Sequence, residues 1–179
     1  EVDSHSDAFM LFESLNNRGI PLSAIDLIKN KILAELEGQN IMSADDAFDK
    51  WNSVINNLPD YAIQERFLRQ YYNAFKYDRD LVKVGSFTKA TKSNLIKIYE
   101  TIIDKRPEYI FNELIEKSLL YSNLINPDNT EDDIFGELKN ELKDLTNVKA
   151  APSYTLLLYL FSKENGLDLS SCRNVVKYL

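Results

Sequence analysis

The residues with the most chemical potential in this chain are cations. Lys76, Arg79, Lys83, Lys89, Lys92 and Lys97 follow one another over 22 positions, with Tyr77 and Phe87 among them. Lysines and arginines interleaved with aromatic rings are what a nucleic-acid surface uses: the cations neutralise phosphates and the rings stack on bases. The alternative is a solvated face whose lysines balance acidic neighbours. Asp78 and Asp80 dilute the cluster, so the spacing favours the solvated face. The distribution of charge is nonetheless uneven. Residues 61–106 hold 10 basic and 5 acidic groups, whereas residues 1–60 hold 4 and 11 and residues 107–179 hold 7 and 12. With a total of −7, the chain as a whole is no general polyanion binder.

Other chemistries find less material. One histidine, His5, and one cysteine, Cys172, lie too far apart in sequence for a zinc constellation at any usual spacing. Glu131-Asp132-Asp133 could attract a hard cation, but the Asp-x-Asp-x-Asp-Gly pattern of a calcium loop is missing. The three carboxylates read better as the first turn of a helix, where they complement its dipole. Cys172 near a helix start could have a lowered pKa, although a small packed residue is the commoner role. There is no glycine-rich phosphate loop and no serine or cysteine elbow for His5 to serve. Neither a catalytic site, a metal site nor a cofactor is expected from these residues.

The elements that must position the cations are helices. Apolar residues recur at i, i+3, i+4 and i+7 through most of the sequence, and 5 Gly and 5 Pro are few turn-formers for a sheet protein. Phe9, Phe12 and Leu15 mark a first helix closing near Gly19. Ser23 with Asp26 resembles a capping box ahead of Ile25, Ile28, Ile32, Leu33 and Leu36, and Gly38 stops that helix. Ser43 with Asp46 repeats the signal before Phe48, Trp51, Val54, Ile55 and Leu58. Further helices are expected over 61–75, 88–104 and from Pro107 to about Leu124. Thr130 with Asp133 should cap a helix containing Ile134, Leu138, Leu142 and Leu145. Pro152 should open an apolar helix from Tyr154 to Phe161 that forms the buried centre of the C-terminal half. Gly166 should close it, and Ser170 or Ser171 should start a last helix. The expected fold is all-α, an irregular bundle of eight or nine helices in two sub-bundles. Its internal boundary is expected near 76–87, with a second near 126–129.

A lone cysteine excludes an intramolecular disulfide framework and favours a reducing compartment. The N-terminal residues lack the basic and apolar regions of a signal peptide, and Leu156–Phe161, the longest apolar run, is far below the ~20 residues that span a bilayer. The expectation is a cytoplasmic protein without a membrane partner.

The least ordinary stretch is Phe12-Glu13-Ser14-Leu15-Asn16-Asn17-Arg18-Gly19-Ile20-Pro21-Leu22-Ser23-Ala24-Ile25-Asp26-Leu27-Ile28-Lys29-Asn30. Local physics explains its Gly, Pro and Ser, but not Asn16, Arg18 and Lys29-Asn30 together. The stretch resembles the signature Phe-x-x-x-Asn-x-x-Gly-x-x-Leu-[ST]-x-x-Asp-Leu-[IL]-Lys-Asn of the DUF262 family, related to modification-dependent restriction enzymes of the GmrSD type. Phe12, Asn16, Gly19, Leu22, Ser23, Asp26, Leu27, Lys29 and Asn30 fall on that pattern, and Arg18 lies inside it. The resemblance implies a role in DNA restriction or phage defence. It also implies parent domains that this chain lacks: an N-terminal one with an Asp-Gly-Gln-Gln-Arg motif for nucleotide hydrolysis or cleavage, and a C-terminal HNH-like nuclease with its own histidine. Residues 1–38 would be the end of the first domain and 39–179 a helical region that partners both. Asn16 to Asn30 would then support an active site without completing it. A DNA-backbone-binding module through residues 76–97 and a protein-interaction bundle are the competing readings.

Overall fold

A computed structural model describes residues 23–77, 81, 87–129, 133–148, 150–162 and 167–179. The described residues contain nine α-helices and one short 3-10 turn, with no strand. In order these are α1 (Ala24–Gly38), α2 (Ala44–Asn57), α3 (Tyr61–Phe75), α4 (Leu95–Lys105), α5 (Pro107–Ile125), the 3-10 turn Pro127–Asn129, α6 (Asp133–Glu137), α7 (Lys139–Asn147), α8 (Ser153–Phe161) and α9 (Leu169–Tyr178). The all-α expectation holds. The helix expected around Phe9 to Leu15, the closing Gly19 and Gly166, and Thr130 lie outside the described residues.

Capping chemistry sets many of the boundaries. Ser23 and Ser43 each accept from the backbone N–H three residues on, and each hydroxyl donates 2.6 Å to the carboxylate at that position, Asp26 and Asp46. This satisfies helix-start donors that have no carbonyl partner within the helix. Asp60 does the same for α3 through Ile63 N–H. Pro107 occupies the first turn of α5, one residue after α4 ends, so Arg106 alone makes the corner. After α1 the left-handed residue is Asn40, at φ 54°, and not Gly38; asparagine tolerates that region better than most side chains.

One continuous apolar cluster runs from Ile25 to Val176. α1 packs on α2 and α4, α2 on α5, and α3 and α5 on α8. Trp51 stacks on Phe111 with ring centroids 6.4 Å apart, joining α2 to α5. Phe67, Tyr121 and Tyr154 form a second aromatic chain through α3, α5 and α8. Polar links cross the same joints. Lys31 lies 2.8 Å from both Glu35 and Asp104, which tethers α1 to α4, and Asp104 first and Glu35 second hold its pKa above the ordinary lysine value.

Five sequence expectations need correction. The helix expected over 88–104 begins only at Leu95, because residues 87–94 form an irregular turn held by side chains. The helix expected through Leu138 is two helices that break at Leu138, whose backbone leaves helical geometry at φ −97°, ψ 6°. The last helix is capped by Asp168, whose carboxylate accepts from Ser171 N–H, so it starts ahead of the expected serines. α8 buries Tyr154, Leu157 and Leu158 but leaves Leu156 exposed, so it is one-sided and not a central rod. On α2, Phe48 and Ile55 also lie at the surface, Phe48 beneath the Lys29 ammonium at 5.8 Å.

Candidate nucleic-acid interface and the signature helix

The C-terminal half of α3 builds the floor of the basic region. Helical spacing puts Tyr72, Asn73 and Lys76 on the side that meets residues 87–90, and each engages backbone there. Tyr72 Oη donates to the Phe87 carbonyl and Lys76 Nζ to the Thr88 carbonyl. Asn73 clasps Ala90 from both sides, accepting its N–H at 3.0 Å and donating to its carbonyl at 3.3 Å. From the other end of the turn, Asn94 donates 3.0 Å to the Lys89 carbonyl and accepts from Thr91 N–H at 2.7 Å. Helix geometry at 88–94 is therefore displaced by side-chain anchors that satisfy the backbone in another conformation.

This turn carries part of the expected cation cluster. Lys89, Thr91, Lys92 and Ser93 are all exposed on it. Lys92 lies 3.8 Å from Glu65, which also binds Arg69 on the next turn of α3. At 79% side-chain exposure, that contact of Lys92 contributes little in water. Lys97, on the first turns of α4, sits 5.9 Å above the Phe87 ring. Lys76 is half-buried and lies 5.1 Å over the Tyr77 ring in addition to its bond with Thr88. Lys89, Lys92 and Lys97 are thus the exposed cations, whereas Lys76 is engaged in holding the turn. Arg79 and Lys83 lie outside the described residues.

Sequence reasoning missed Tyr72, Asn73 and Asn94 as the residues that shape this surface. Thr91, Ser93 and Asn94 immediately before Leu95 were the available signal, since such residues cluster at helix starts. Nothing local marked Asn73, whose partner Ala90 is 17 positions away.

The signature residues divide at Ser23. Phe12, Asn16, Arg18, Gly19 and Leu22 lie outside the described residues. Ser23 and Asp26 cap α1, Lys29 lies 3.8 Å from Asp26, and Asn30 is half-buried one position on. The opposite face of α1 carries Ile25, Ile28, Ile32 and Leu36 into the core.

Cys172 is buried, its pKa raised by desolvation first and by the Asp168 carboxylate second, which works against a thiolate. Among the described residues, no group of three or more His, Cys, Asp or Glu converges in a way that could hold a metal. Among them, too, no helix is long and apolar enough to cross a membrane. Comparison with family models, with curated proteins and with solved structures finds no match.

Proposed function

We propose that this chain is a non-catalytic helical region of a DUF262-type DNA-restriction protein, coupling a nucleotide-responsive domain to a nuclease domain in the cytoplasm. The observation that carries the reading is the signature segment from Ser23 to Asn30. Its polar residues build the capped, half-exposed start of α1, while its apolar residues anchor that helix in the core. Asp26 is engaged by the Ser23 hydroxyl and Lys29 by Asp26 and the Phe48 ring, so both are used in holding α1. Such a helix start is suited to support a neighbouring site. The test is turnover by the purified chain with nucleoside triphosphates and with plasmid DNA. The reading expects none, and hydrolysis or cleavage abolished by a point mutation would overturn it.

A second reading is favoured by the anchored turn. Lys89, Lys92 and Lys97 stand exposed around a backbone held from below, a form suited to contact with nucleic-acid phosphates. It predicts salt-sensitive binding of labelled DNA that weakens when Lys89 and Lys92 are both changed to Glu. Undetectable binding at low salt would remove it.

A further inference from the structure

Residues 87–93 lie outside any helix or sheet, yet the four successive carbonyls of residues 87–90 are each engaged by a side chain. Phe87 is met by Tyr72, Thr88 by Lys76, Lys89 by Asn94 and Ala90 by Asn73. A free carbonyl oxygen presents negative potential to an approaching phosphate. Engagement by donors from α3 and from Asn94 offsets that potential at every carbonyl from 87 to 90. What the turn offers to solvent instead is the ammonium groups of Lys89 and Lys92 and the hydroxyl-bearing Thr91 and Ser93. An exposed irregular turn would ordinarily have to be ordered on binding, at a cost in conformational entropy. Here the ordering is already present in the fold.

We propose that Asn73 is a positioning residue for this surface: by clasping Ala90, it holds Lys89 and Lys92 ready for the phosphodiester backbone of a nucleic acid. The inference rests on the second reading above and adds the residue that makes the surface rigid. Asn73 itself is half-buried beneath the turn and contributes no charge. Its effect is therefore separable from that of the lysines. Removing a phosphate contact changes how binding depends on salt, because fewer counterions are released. Loosening the turn changes affinity while leaving the number of cations as it was.

The experiment is fluorescence anisotropy of a labelled DNA duplex with the full chain, over a series of salt concentrations. The variants are Asn73→Ala, Tyr72→Phe and Lys92→Ala, each checked for folding by circular dichroism. Tyr72→Phe keeps the ring in a fully buried position and removes only the hydroxyl that holds Phe87. We expect Asn73→Ala and Tyr72→Phe to weaken binding roughly three- to tenfold with the salt slope unchanged. Lys92→Ala should reduce the slope by about one. If Lys92→Ala behaves so while Asn73→Ala and Tyr72→Phe bind at full strength, the lysines bind DNA but Asn73 does not position them. If the slope falls in Asn73→Ala, the positioning role is also overturned. If Asn73→Ala does not fold, Tyr72→Phe decides by the same criteria. Absence of binding by the unaltered chain overturns the nucleic-acid reading, and the positioning role with it.

Discussion

Tyr99 is fully buried and donates its hydroxyl to the Leu68 carbonyl at 2.9 Å, which ties α4 to α3. Tyr71 is buried against Glu113, to which it donates at 3.0 Å, and Tyr121 packs between Phe67 and Tyr154. Desolvation is the largest cause in each case and raises all three phenol pKa values, with Glu113 adding to the rise at Tyr71 and Arg66 opposing it at Tyr121. The unfolded chain titrates these groups near the ordinary tyrosine value of about 10. Their contribution is therefore fully present below pH ~10 and is lost as pH rises through the folded-state values. At pH 11, each group still protonated in the fold but titrated in the unfolded chain costs about 1.4 kcal/mol, so Tyr71 and Tyr99, whose values are raised well above the ordinary one, together cost about 3 kcal/mol, and Tyr121, raised less, acts in the same direction. That is a large share of the 5–15 kcal/mol typical of folded domains. Tyrosinate absorbance and far-ultraviolet circular dichroism recorded together should show a cooperative step near or above pH 11, in which ionisation of the buried phenols coincides with loss of helix. Tyr99→Phe should flatten the alkaline slope by one proton. Full ionisation of all ten tyrosines near pH 10 with the helices intact would refute the reasoning.

Three further outcomes follow from single features of the fold. Trp51→Ala removes a ring buried to 1% exposure and stacked on Phe111, and should lower stability by about 3–5 kcal/mol in chemical denaturation. Ser23→Ala and Asp168→Ala each remove a helix cap and should cost about 1 kcal/mol, read as a drop in Tm of about 2–4 °C. The Asp128 carboxylate, bonded by Lys139 at 2.7 Å and Lys143 at 2.8 Å, is held below the ordinary aspartate pKa. Its contribution is present above the unfolded value and lost as pH falls through the folded one. A carboxyl-carbon NMR titration should show this low value rising toward normal in Lys139→Ala and Lys143→Ala.

Where local chemistry decides, the sequence was readable. α3 runs from Tyr61 to Phe75 as its apolar spacing implied, Ser23 and Ser43 are caps, and Pro107 opens a helix. Where the deciding partner is distant, it was not. The basic turn takes its shape from Tyr72 and Asn73 on α3, and no pattern within 88–104 could show that Asn73 would capture Ala90. Leu138 gave a similarly misleading signal: it belongs to the apolar stripe and is fully buried, yet it is where the helix breaks. Periodicity reports which residues face the core, not whether the backbone between them is continuous. Of the candidate surface, the charges were legible and the scaffold that presents them was not.

The central claim, a helical support without chemistry of its own, is tested most directly by nucleotide turnover. The chain is incubated with ATP and GTP in the presence of magnesium and DNA, beside an Asp26→Ala, Lys29→Ala double variant. The account predicts background phosphate release from both. Release by the unaltered chain that disappears in the double variant while its circular dichroism is unchanged would contradict it, because Asp26 and Lys29 would then act in catalysis and not only in holding α1.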